Sequence, residues 1–423
     1  MKKYILLIFM LTCSALGFSQ VDFNQWFLPK SIRIDYFLTG DAKSQNIFFD
    51  GLSEEQYWSG SPNSLIDPFS YGSYKVEVKD KETGKLIYSR GFCTLFQEWQ
   101  TIEEAKTTPK AFEQVTRIPY PKKPVIVEFF GRQRNGLFNS LYKLDVDPNS
   151  IFVVREKNVS YPVTQIVANG KPEQMLDITF IAEGYMATQM EKFKADVKHF
   201  YDYLITQEPF SRYKDKINIW AVESPSEQEG PDNPGKNVWN RTPVGSTFYT
   251  FGIDRYLTTT KFKSVMNVAS NAPGDLVYII INSSDYGGGG IYNHYNVATS
   301  NHKLSDKVFI HELGHGIVGL GDEYIDSDNE NFYPKEIEPW EPNLTTLVNF
   351  DSKWKSQLDQ SVVIPTPAVP ENSDKLGVFE GGGYVEKGIY RPMMECRMRS
   401  NSPKGFCKVC ASAIEKMLKY YTE

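Results

Sequence analysis

One stretch, HELGHGIVGLGDEY, constrains this chain more than any other. His311 and His315 lie four residues apart, so on a helix they project from the same face and their imidazoles can converge on one metal ion. Glu312, one residue after the first histidine, would lie beside that ion rather than on it. Gly319 and Gly321 can adopt the left-handed conformation that ends a helix, so we expect the chain to turn there.

The same spacing occurs by chance in amphipathic helices, but other features of the chain favour a metal site. Only five histidines occur in 423 residues, and two of them stand here. An apolar segment precedes the first histidine, and acidic residues follow the glycines directly. We therefore predict one catalytic Zn²⁺ ion bound by His311 and His315.

Two imidazoles leave zinc short of a third protein ligand, with the fourth position kept for water. Asp322 is the preferred third ligand, because it lies seven residues after His315, just past the glycine turn. Glu323 is the alternative. A ligand from a later helix is disfavoured, since the segment 326–342 is acidic, polar and interrupted by prolines.

Composition and net charge limit the kinds of molecule that this protein is expected to bind. The chain is long enough for two domains, and its 41% hydrophobic and 14% aromatic content suffices for sizeable cores. The net charge of −6 is mild and no basic cluster is present, so neither nucleic acid nor an anionic membrane surface is the expected partner. These features do not predict the oligomeric state.

Residues 1–20 have the pattern of a secretory signal peptide. Lys2 and Lys3 precede an apolar run over 4–11, and small and polar residues follow. The run is too short to span a bilayer, and no later stretch is long enough for a transmembrane segment. We expect an exported protein that is secreted, periplasmic or at the cell surface of a bacterium.

Residues 21–160 have a strand-like pattern. Alternating segments at 31–37, 74–78 and 124–129 are separated by turn signals, and no long helical period occurs. This pattern predicts an antiparallel β-sandwich. It contains no catalytic constellation, so a stabilising or targeting accessory domain is expected.

A polar segment containing glycine and proline, over 158–172, indicates a domain boundary. From 170 to 423 the pattern becomes α/β. Strands are predicted at 176–182, 217–222 and 276–281, the last of them central because it is wholly apolar. Thr188 and Glu191 have the spacing of a capping box, which predicts the start of a helix. The whole chain is therefore predicted to be a two-domain α+β protein.

Four consecutive glycines, Gly287 to Gly290, precede the histidine helix. They form either a loose loop or a side-chain-free rim that approaches an extended peptide and pairs with it as an added strand.

The cysteines beyond the signal peptide leave two alternatives open. Cys396 is expected to form a disulfide with Cys407 or Cys410, although the last two also have the spacing of half a zinc knuckle. A buried free thiol is predicted for Cys93.

Peptide hydrolysis at such a site needs a base and an oxyanion donor. Glu312 is the expected general base, taking a proton from a zinc-activated water. Tyr390 is a candidate oxyanion donor, with a buried structural tyrosine as the alternative. Met398 or Met394 would form an apolar floor beneath the metal.

Several motifs together resemble the bacterial IgA-peptidase family of zinc metallopeptidases, a metzincin-like group that often carries an N-terminal β-sandwich. They are HELGHGIVGLGDEY, AEGY at 182–185, PFSRY at 209–213, FEGGGY at 379–384, YRP at 390–392 and CRM at 396–398. The similarity covers most of the chain from 177 to 410. It implies a metzincin-like α/β zinc-peptidase domain.

The resemblance also implies roles for single residues. Zinc would be bound by His311, His315 and Asp322, with Glu312 as general base and Met398 in a Met-turn. Better-known metzincins carry a third histidine six residues after the second. That position is glycine in this chain, so a third histidine ligand is excluded.

The predicted function is that of a secreted zinc-dependent endopeptidase. Its substrates would be proteins or glycoproteins, with immunoglobulin A among the candidates. The alternative is a surface protein that binds glycans or proteins and carries a structural zinc site. Glu312 favours the enzyme, because a structural site does not need a carboxylate beside the water position.

Overall fold

A computed structural model describes residues 21–156, 159–326 and 333–423. The signal peptide predicted over 1–20 lies outside these residues. The described chain is a mixture of helices and strands arranged in several sheets. Within the described ranges, no helix combines the length and the apolar character needed to cross a membrane.

The first sheet is built around one long strand. Helix α1 (Phe23–Trp26) leads into β1 (Phe27–Gly40), which pairs antiparallel with β2 (Gln45–Glu55) and with β5 (Lys110–Pro121). The short β8 (Val153–Val154) adds to β2 in parallel. The predicted antiparallel arrangement is wrong at this edge, because β8 runs parallel to β2. Between these two strands the chain passes through a second sheet.

The second sheet has the strand order β4-β3-β6-β7 and is antiparallel throughout. Its strands are β3 (Tyr74–Asp80), β4 (Leu86–Phe92), β6 (Val125–Arg132) and β7 (Phe138–Val146). Buried and partly exposed side chains alternate along β3, as expected for a strand with one face on a core. The short helix α2 (Leu95–Trp99) follows β4.

The first and second sheets contact each other through aromatic and polar side chains. The rings of Tyr36 in β1 and Phe129 in β6 have centroids 4.9 Å apart. The Tyr74 hydroxyl donates to Gln45 Oε1 at 2.8 Å. Both sheets contribute buried side chains to one apolar core, which extends into the rest of the protein.

The third sheet has six strands in the order β13-β14-β12-β10-β11-β9. They are β9 (Val163–Val167), β10 (Leu176–Glu183), β11 (Ile217–Val222), β12 (Leu276–Ile281), β13 (Gly288–Gly290) and β14 (Asn296–Thr299). The four inner strands are parallel, and β9 and β13 pair antiparallel at the edges. The three strands predicted here are confirmed, and β12 has a neighbour on each side. The sheet also takes in β9, which lies before the predicted domain start at 170.

Four longer helices complete the C-terminal region. They are α3 (Met190–Leu204), α4 (Phe262–Ala269), α5 (Ser305–Val318) and α6 (Lys408–Thr422). The rings of Phe200 in α3 and Phe309 in α5 pack with centroids 4.8 Å apart. The capping box predicted at Thr188 is wrong, because a 3₁₀ turn comes first and Gln189 Oε1 instead accepts from the Met186 N–H at 2.8 Å.

Candidate metal and active site

Helix α5 carries the two histidines and Glu312. The helix ends at Val318, and Gly319 follows with φ +65° and donates its N–H to the His315 carbonyl oxygen at 2.8 Å. This left-handed C-cap is the turn expected from the sequence, and glycine adopts it without steric cost. The turn directs the following residues back towards the histidine side chains.

The structure brings His311, His315 and Asp322 together. The two Nε2 atoms lie 3.1 Å apart. Asp322 Oδ1 lies 3.1 Å from His311 Nε2 and 3.4 Å from His315 Nε2. Ligand atoms on a tetrahedral zinc ion lie about 3.4 Å from one another. The three atoms therefore have the spacing of one face of a zinc tetrahedron.

Both imidazoles are oriented by backbone carbonyl groups. His311 Nδ1 lies 2.9 Å from the Arg397 carbonyl oxygen, and His315 Nδ1 lies 2.6 Å from that of Leu320. A hydrogen bond at Nδ1 places the proton there and leaves Nε2 with a lone pair. Each Nε2 lone pair is thus available to a cation held between the two rings.

A β-hairpin from later in the chain holds Asp322 in place. This hairpin consists of β15 (Phe379–Gly382) and β16 (Val385–Arg391). At its turn, the Tyr384 hydroxyl donates to Asp322 Oδ2 at 2.5 Å, and the Gly383 N–H donates to the Asp322 carbonyl oxygen at 2.7 Å. Asp322 Oδ1 is buried and has no hydrogen-bond partner among the described residues. The residues therefore fit a metal ion, which would satisfy that oxygen.

Glu312 also lies close enough to be considered a ligand. His311, Glu312 and His315 form a group whose ligand atoms lie within 4.8 Å of one another. Asp322 Oδ1 lies 3.1–3.4 Å from both Nε2 atoms and has no hydrogen-bond partner among the described residues. We therefore favour Asp322 for the third position, which leaves Glu312 beside the centre.

The charges of the site also favour Asp322 as the third ligand and Glu312 as a group beside the centre. Burial lowers the pKa of His315, but the Asp322 carboxylate raises it by more, to about 9. Burial raises the pKa of Asp322, but His315 and His311 together hold it below its ordinary value. Burial also raises the pKa of Glu312, which the imidazoles oppose. The centre between the three groups thus favours positive charge, and Glu312 is a stronger proton acceptor than an ordinary carboxylate.

Two family models match this sequence. The model described as IgA Peptidase M64 matches residues 164–372 and 369–418, and the model described as Peptidase M64 N-terminus matches residues 22–143. The chain belongs to the IgA peptidase M64 family. The resemblance found in the sequence is confirmed. No curated protein matches the chain.

Membership in the M64 family indicates a peptidase, which is a hydrolase whose substrate is a protein or a peptide. The prediction of an enzyme is confirmed. The alternative of a purely binding protein gains no support from the family. The site described above is accordingly the candidate active site of an M64 peptidase.

The glycine run of this M64 peptidase is explained by the packing of β13 on α5. A Cβ atom at Gly288 would lie 2.8 Å from Glu312 Oε1, and one at Gly290 would lie 2.4 Å from the Glu312 carbonyl oxygen. The run is therefore neither a loose loop nor a bare rim. The Gly288 carbonyl oxygen already accepts from the Leu257 N–H at 3.2 Å, and the Gly288 N–H donates to the Arg255 carbonyl oxygen at 3.4 Å. The N–H and carbonyl groups of Gly288 therefore already have hydrogen-bond partners and are not free to pair with an added peptide strand.

Tyr390 does not join the candidate ligands. It lies in β16, where its backbone pairs with Thr345, and its hydroxyl hydrogen-bonds Glu380. The role of Tyr390 as oxyanion donor stays a prediction. The tyrosine that reaches the site is Tyr384, which sequence reasoning missed although it ends the FEGGGY motif. A tyrosine directly after three glycines was the available signal.

Tyr324 and Arg255 also face the site. They hydrogen-bond each other, and Arg255 interacts electrostatically with Glu312. Of the two methionine candidates, Met398 is the one under α5, since a Cβ atom at Gly314 would lie 2.8 Å from its Sδ atom.

The cysteines differ from the prediction in one respect. All four described cysteines are free thiols, as predicted for Cys93 but not for the others. The disulfide expected at Cys396 is absent, because its sulfur meets two other thiols rather than one. Glu323, the alternative zinc ligand, turns away from the histidines towards this group, and its carboxylate accepts from the Cys410 thiol at 3.3 Å.

Glu98 connects the N-terminal region with the candidate active site. This residue in α2 is hydrogen-bonded by the Tyr256 hydroxyl, and Tyr256 bridges to Gly288 of β13. Burial raises the pKa of Glu98 to about 7, and the charges of His315, Asp322 and Glu312 also act on it. The region predicted to be a separate accessory domain therefore contributes to the surroundings of the active site.

Proposed function

We propose that this M64 peptidase is a zinc-dependent endopeptidase. His311, His315 and Asp322 would bind one catalytic Zn²⁺ ion, and Glu312 would be the general base. The observation that carries the proposal is the convergence of the two Nε2 atoms and the unpartnered Asp322 Oδ1 at 3.1–3.4 Å. Imidazole nitrogens and a carboxylate, with one position left open, are the ligands of catalytic zinc.

Zinc, when bound, supplies a Lewis acid that activates water and polarises the scissile carbonyl group. Glu312 accepts the proton of the attacking water and passes it to the leaving amine. Burial supports this role, because it raises the pKa of Glu312 and strengthens it as a base. Tyr324 and Arg255 join Tyr390 as candidates for contact with the developing oxyanion.

The finer architecture also belongs to this proposal. The two sheets of the N-terminal region would form a β-sandwich over residues 21–160, and the C-terminal region would be a metzincin-like domain. The contact between Tyr36 and Phe129 and the position of Met398 under α5 support these assignments. Export through a signal peptide at 1–20 is part of the same proposal.

The proposed substrates are proteins or glycoproteins outside the cell. Immunoglobulin A is one candidate, on the strength of the family's description alone. The peptidase activity that the family indicates supports a protein or a peptide as substrate.

The test compares wild type with Glu312→Gln. We expect the variant to keep one zinc at the histidine site and to cleave a broad peptide library about 10²–10⁴-fold more slowly. Glu191→Gln, at a side chain that is 88% exposed on α3, is the matched control and should cleave at the wild-type rate. Cleavage that survives Glu312→Gln, or that resists a chelator, would exclude the proposed reaction.

A further inference from the structure

Three cysteines and Glu323 meet in the interior of the C-terminal region. Cys396, Cys407 and Cys410 are buried free thiols, and Glu323 has no solvent exposure. One ligand atom from each of the four side chains lies within 4.8 Å of the others. Thiolates together with a carboxylate are ligands that zinc accepts in closed, four-coordinate sites.

Two distances within this group are close to those of a tetrahedral zinc site. Cys396 Sγ lies 3.7 Å from Cys410 Sγ, and two sulfurs on one zinc ion lie about 3.8 Å apart. Cys410 Sγ lies 3.3 Å from Glu323 Oε1, where a sulfur and an oxygen ligand would be about 3.5 Å apart. A disulfide would join only two of the thiols and would leave the third beside a buried carboxylate.

Glu323 provides a second and independent observation. Its Oε1 atom accepts from Asn343 Nδ2 at 2.9 Å. Its Oε2 atom is buried and has no hydrogen-bond partner among the described residues. A buried carboxylate with one oxygen lacking a partner is unfavourable, and a cation bound by this carboxylate would reduce that cost.

Several neighbouring groups favour negative charge at this site. Cys407 is the N-cap of α6, where the helix carries partial positive charge. The backbone N–H of Cys407 donates to Cys396 Sγ at 3.3 Å. The guanidinium group of Arg391 interacts electrostatically with Glu323, and that of Arg397 with Cys396. Burial acts in the opposite direction and raises the pKa of the Cys396 and Cys410 thiols. A metal ion would therefore be what holds these sulfurs as thiolates, which are the form that binds metal.

We propose that Glu323, Cys396, Cys407 and Cys410 bind a second zinc ion with a structural role. Only half of the site is visible in the sequence, as CKVC at 407–410, because the fold brings in the other two residues from elsewhere. The proposal goes beyond the peptidase reaction and does not depend on it.

The second ion would support the first site from two directions. Glu323 directly follows Asp322, the candidate third ligand of the catalytic ion. Cys396 directly precedes Arg397, whose carbonyl oxygen orients the His311 ring. A metal ion joining these two loops to α6 would hold both in place.

Zinc analysis of the purified protein, reduced, loaded with zinc and freed of loosely bound metal, tests the proposal. We expect two zinc ions per chain in wild type and one in Cys396→Ser. His315→Ala should also bind one, having lost the other ion. Cys93→Ser, which removes a buried thiol of the N-terminal region, is the matched control and should keep two.

Cobalt substitution identifies which site each ion occupies. Three thiolates give Co²⁺ an intense sulfur-to-metal charge-transfer absorption that two imidazoles and a carboxylate cannot produce. We expect this absorption in wild type and in His315→Ala but not in Cys396→Ser.

Three results on the wild-type protein would overturn the proposal, even if Cys396→Ser does not fold. They are a single zinc ion per chain, a cobalt spectrum without the sulfur absorption, and peptide mapping that finds a disulfide among the three cysteines. Each would leave the peptidase proposal standing, since that rests on the loss of cleavage in Glu312→Gln.

Discussion

Tyr384 combines an unusual backbone conformation with a contact to the candidate metal centre. Its φ of +70° lies in the left-handed region, which residues other than glycine adopt at some cost. Its hydroxyl donates to Asp322 Oδ2 at 2.5 Å. Strained residues persist where the surrounding structure holds them, often at functional sites. The strain here is consistent with a tyrosine kept for its hydroxyl.

Tyr384→Phe should weaken zinc binding at the histidine site by about 10–100-fold, because the removed hydrogen bond orients the proposed ligand Asp322. The measurement is competition with a chromophoric chelator at constant pH. Tyr390→Phe is the matched control, since its hydroxyl meets Glu380 rather than a candidate ligand. Equal zinc affinity in the two variants would show that Tyr384 does not orient the ligand.

Asp177 in β10 is a buried acid, remote from the candidate metal centre, from which we expect pH-dependent stability. Its Oδ1 atom accepts from Trp220 Nε1 at 2.6 Å and from Asn218 Nδ2 at 3.0 Å, while Oδ2 is buried without a hydrogen-bond partner in the described chain. Burial raises its pKa from 3.8 to about 6, against the effect of these two hydrogen bonds. The folded state therefore holds the proton more tightly than the unfolded state.

Asp177→Asn should make stability less dependent on pH between 4 and 6. In wild type, the stabilisation from the bound proton is complete below the unfolded pKa and is lost as pH rises through the folded pKa, a change of about 3 kcal/mol. Urea unfolding across this range measures the difference between the two proteins. Asp145→Asn, at a side chain that is 66% exposed, should follow wild type. Parallel pH profiles for Asp177→Asn and wild type would contradict the assignment.

At the scale of elements, the active site depends on how closely β13 lies against α5. The edge strand can approach the helix because its residues lack side chains, and a Cβ atom at Gly290 would lie 3.0 Å from His315 Cβ. This close packing places the strand along one side of the catalytic helix. A residue with a side chain would push the strand away from Glu312 and His315.

Gly290→Ala should destabilise the protein by about 1–3 kcal/mol, because the added methyl group overlaps the Glu312 backbone. Peptide cleavage should fall as well, since α5 carries the base. Urea unfolding and a cleavage assay test both effects. Gly51→Ala is the control, as a Cβ atom there meets nothing within 4 Å. A Gly290→Ala protein as stable as Gly51→Ala would show that β13 can move without cost.

At the scale of the whole molecule, the N-terminal and C-terminal regions share one apolar core. Polar contacts also join them. Arg33 in β1 donates to Asn267 Oδ1 in α4 at 2.7 Å, and Arg90 in β4 donates to the Tyr421 hydroxyl in α6 at 2.6 Å. The N-terminal and C-terminal regions thus contact each other directly, and the stabilising role considered from the sequence stays a prediction.

Tyr421→Phe should lower the free energy of unfolding by about 1–3 kcal/mol, because it removes a partner from the buried Arg90 guanidinium. Arg90 Nη1 already has no hydrogen-bond partner in the described residues, so little compensation is available. Urea denaturation is the measurement. Tyr249→Phe, at an exposed tyrosine, serves as control. A change within about 0.5 kcal/mol, the range of ordinary surface substitutions, would argue against this inter-region contact.

Local patterns in the sequence predict much of this structure. The spacing of His311, Glu312 and His315, the helix stop at Gly319 and the strands β10 to β12 were all predicted, because helical period, caps and apolar runs depend on near neighbours. The resemblance that named the family also rested on short contiguous motifs.

The tertiary structure decided which distant side chains meet. It turned Glu323 towards Cys396 rather than the histidines, brought Tyr384 to Asp322, and placed β13 against α5. Each of these pairs is separated by a chain length over which local propensity carries no information. Their contacts follow only from the packing of the hairpin, the sheet edge and α6 around the catalytic helix.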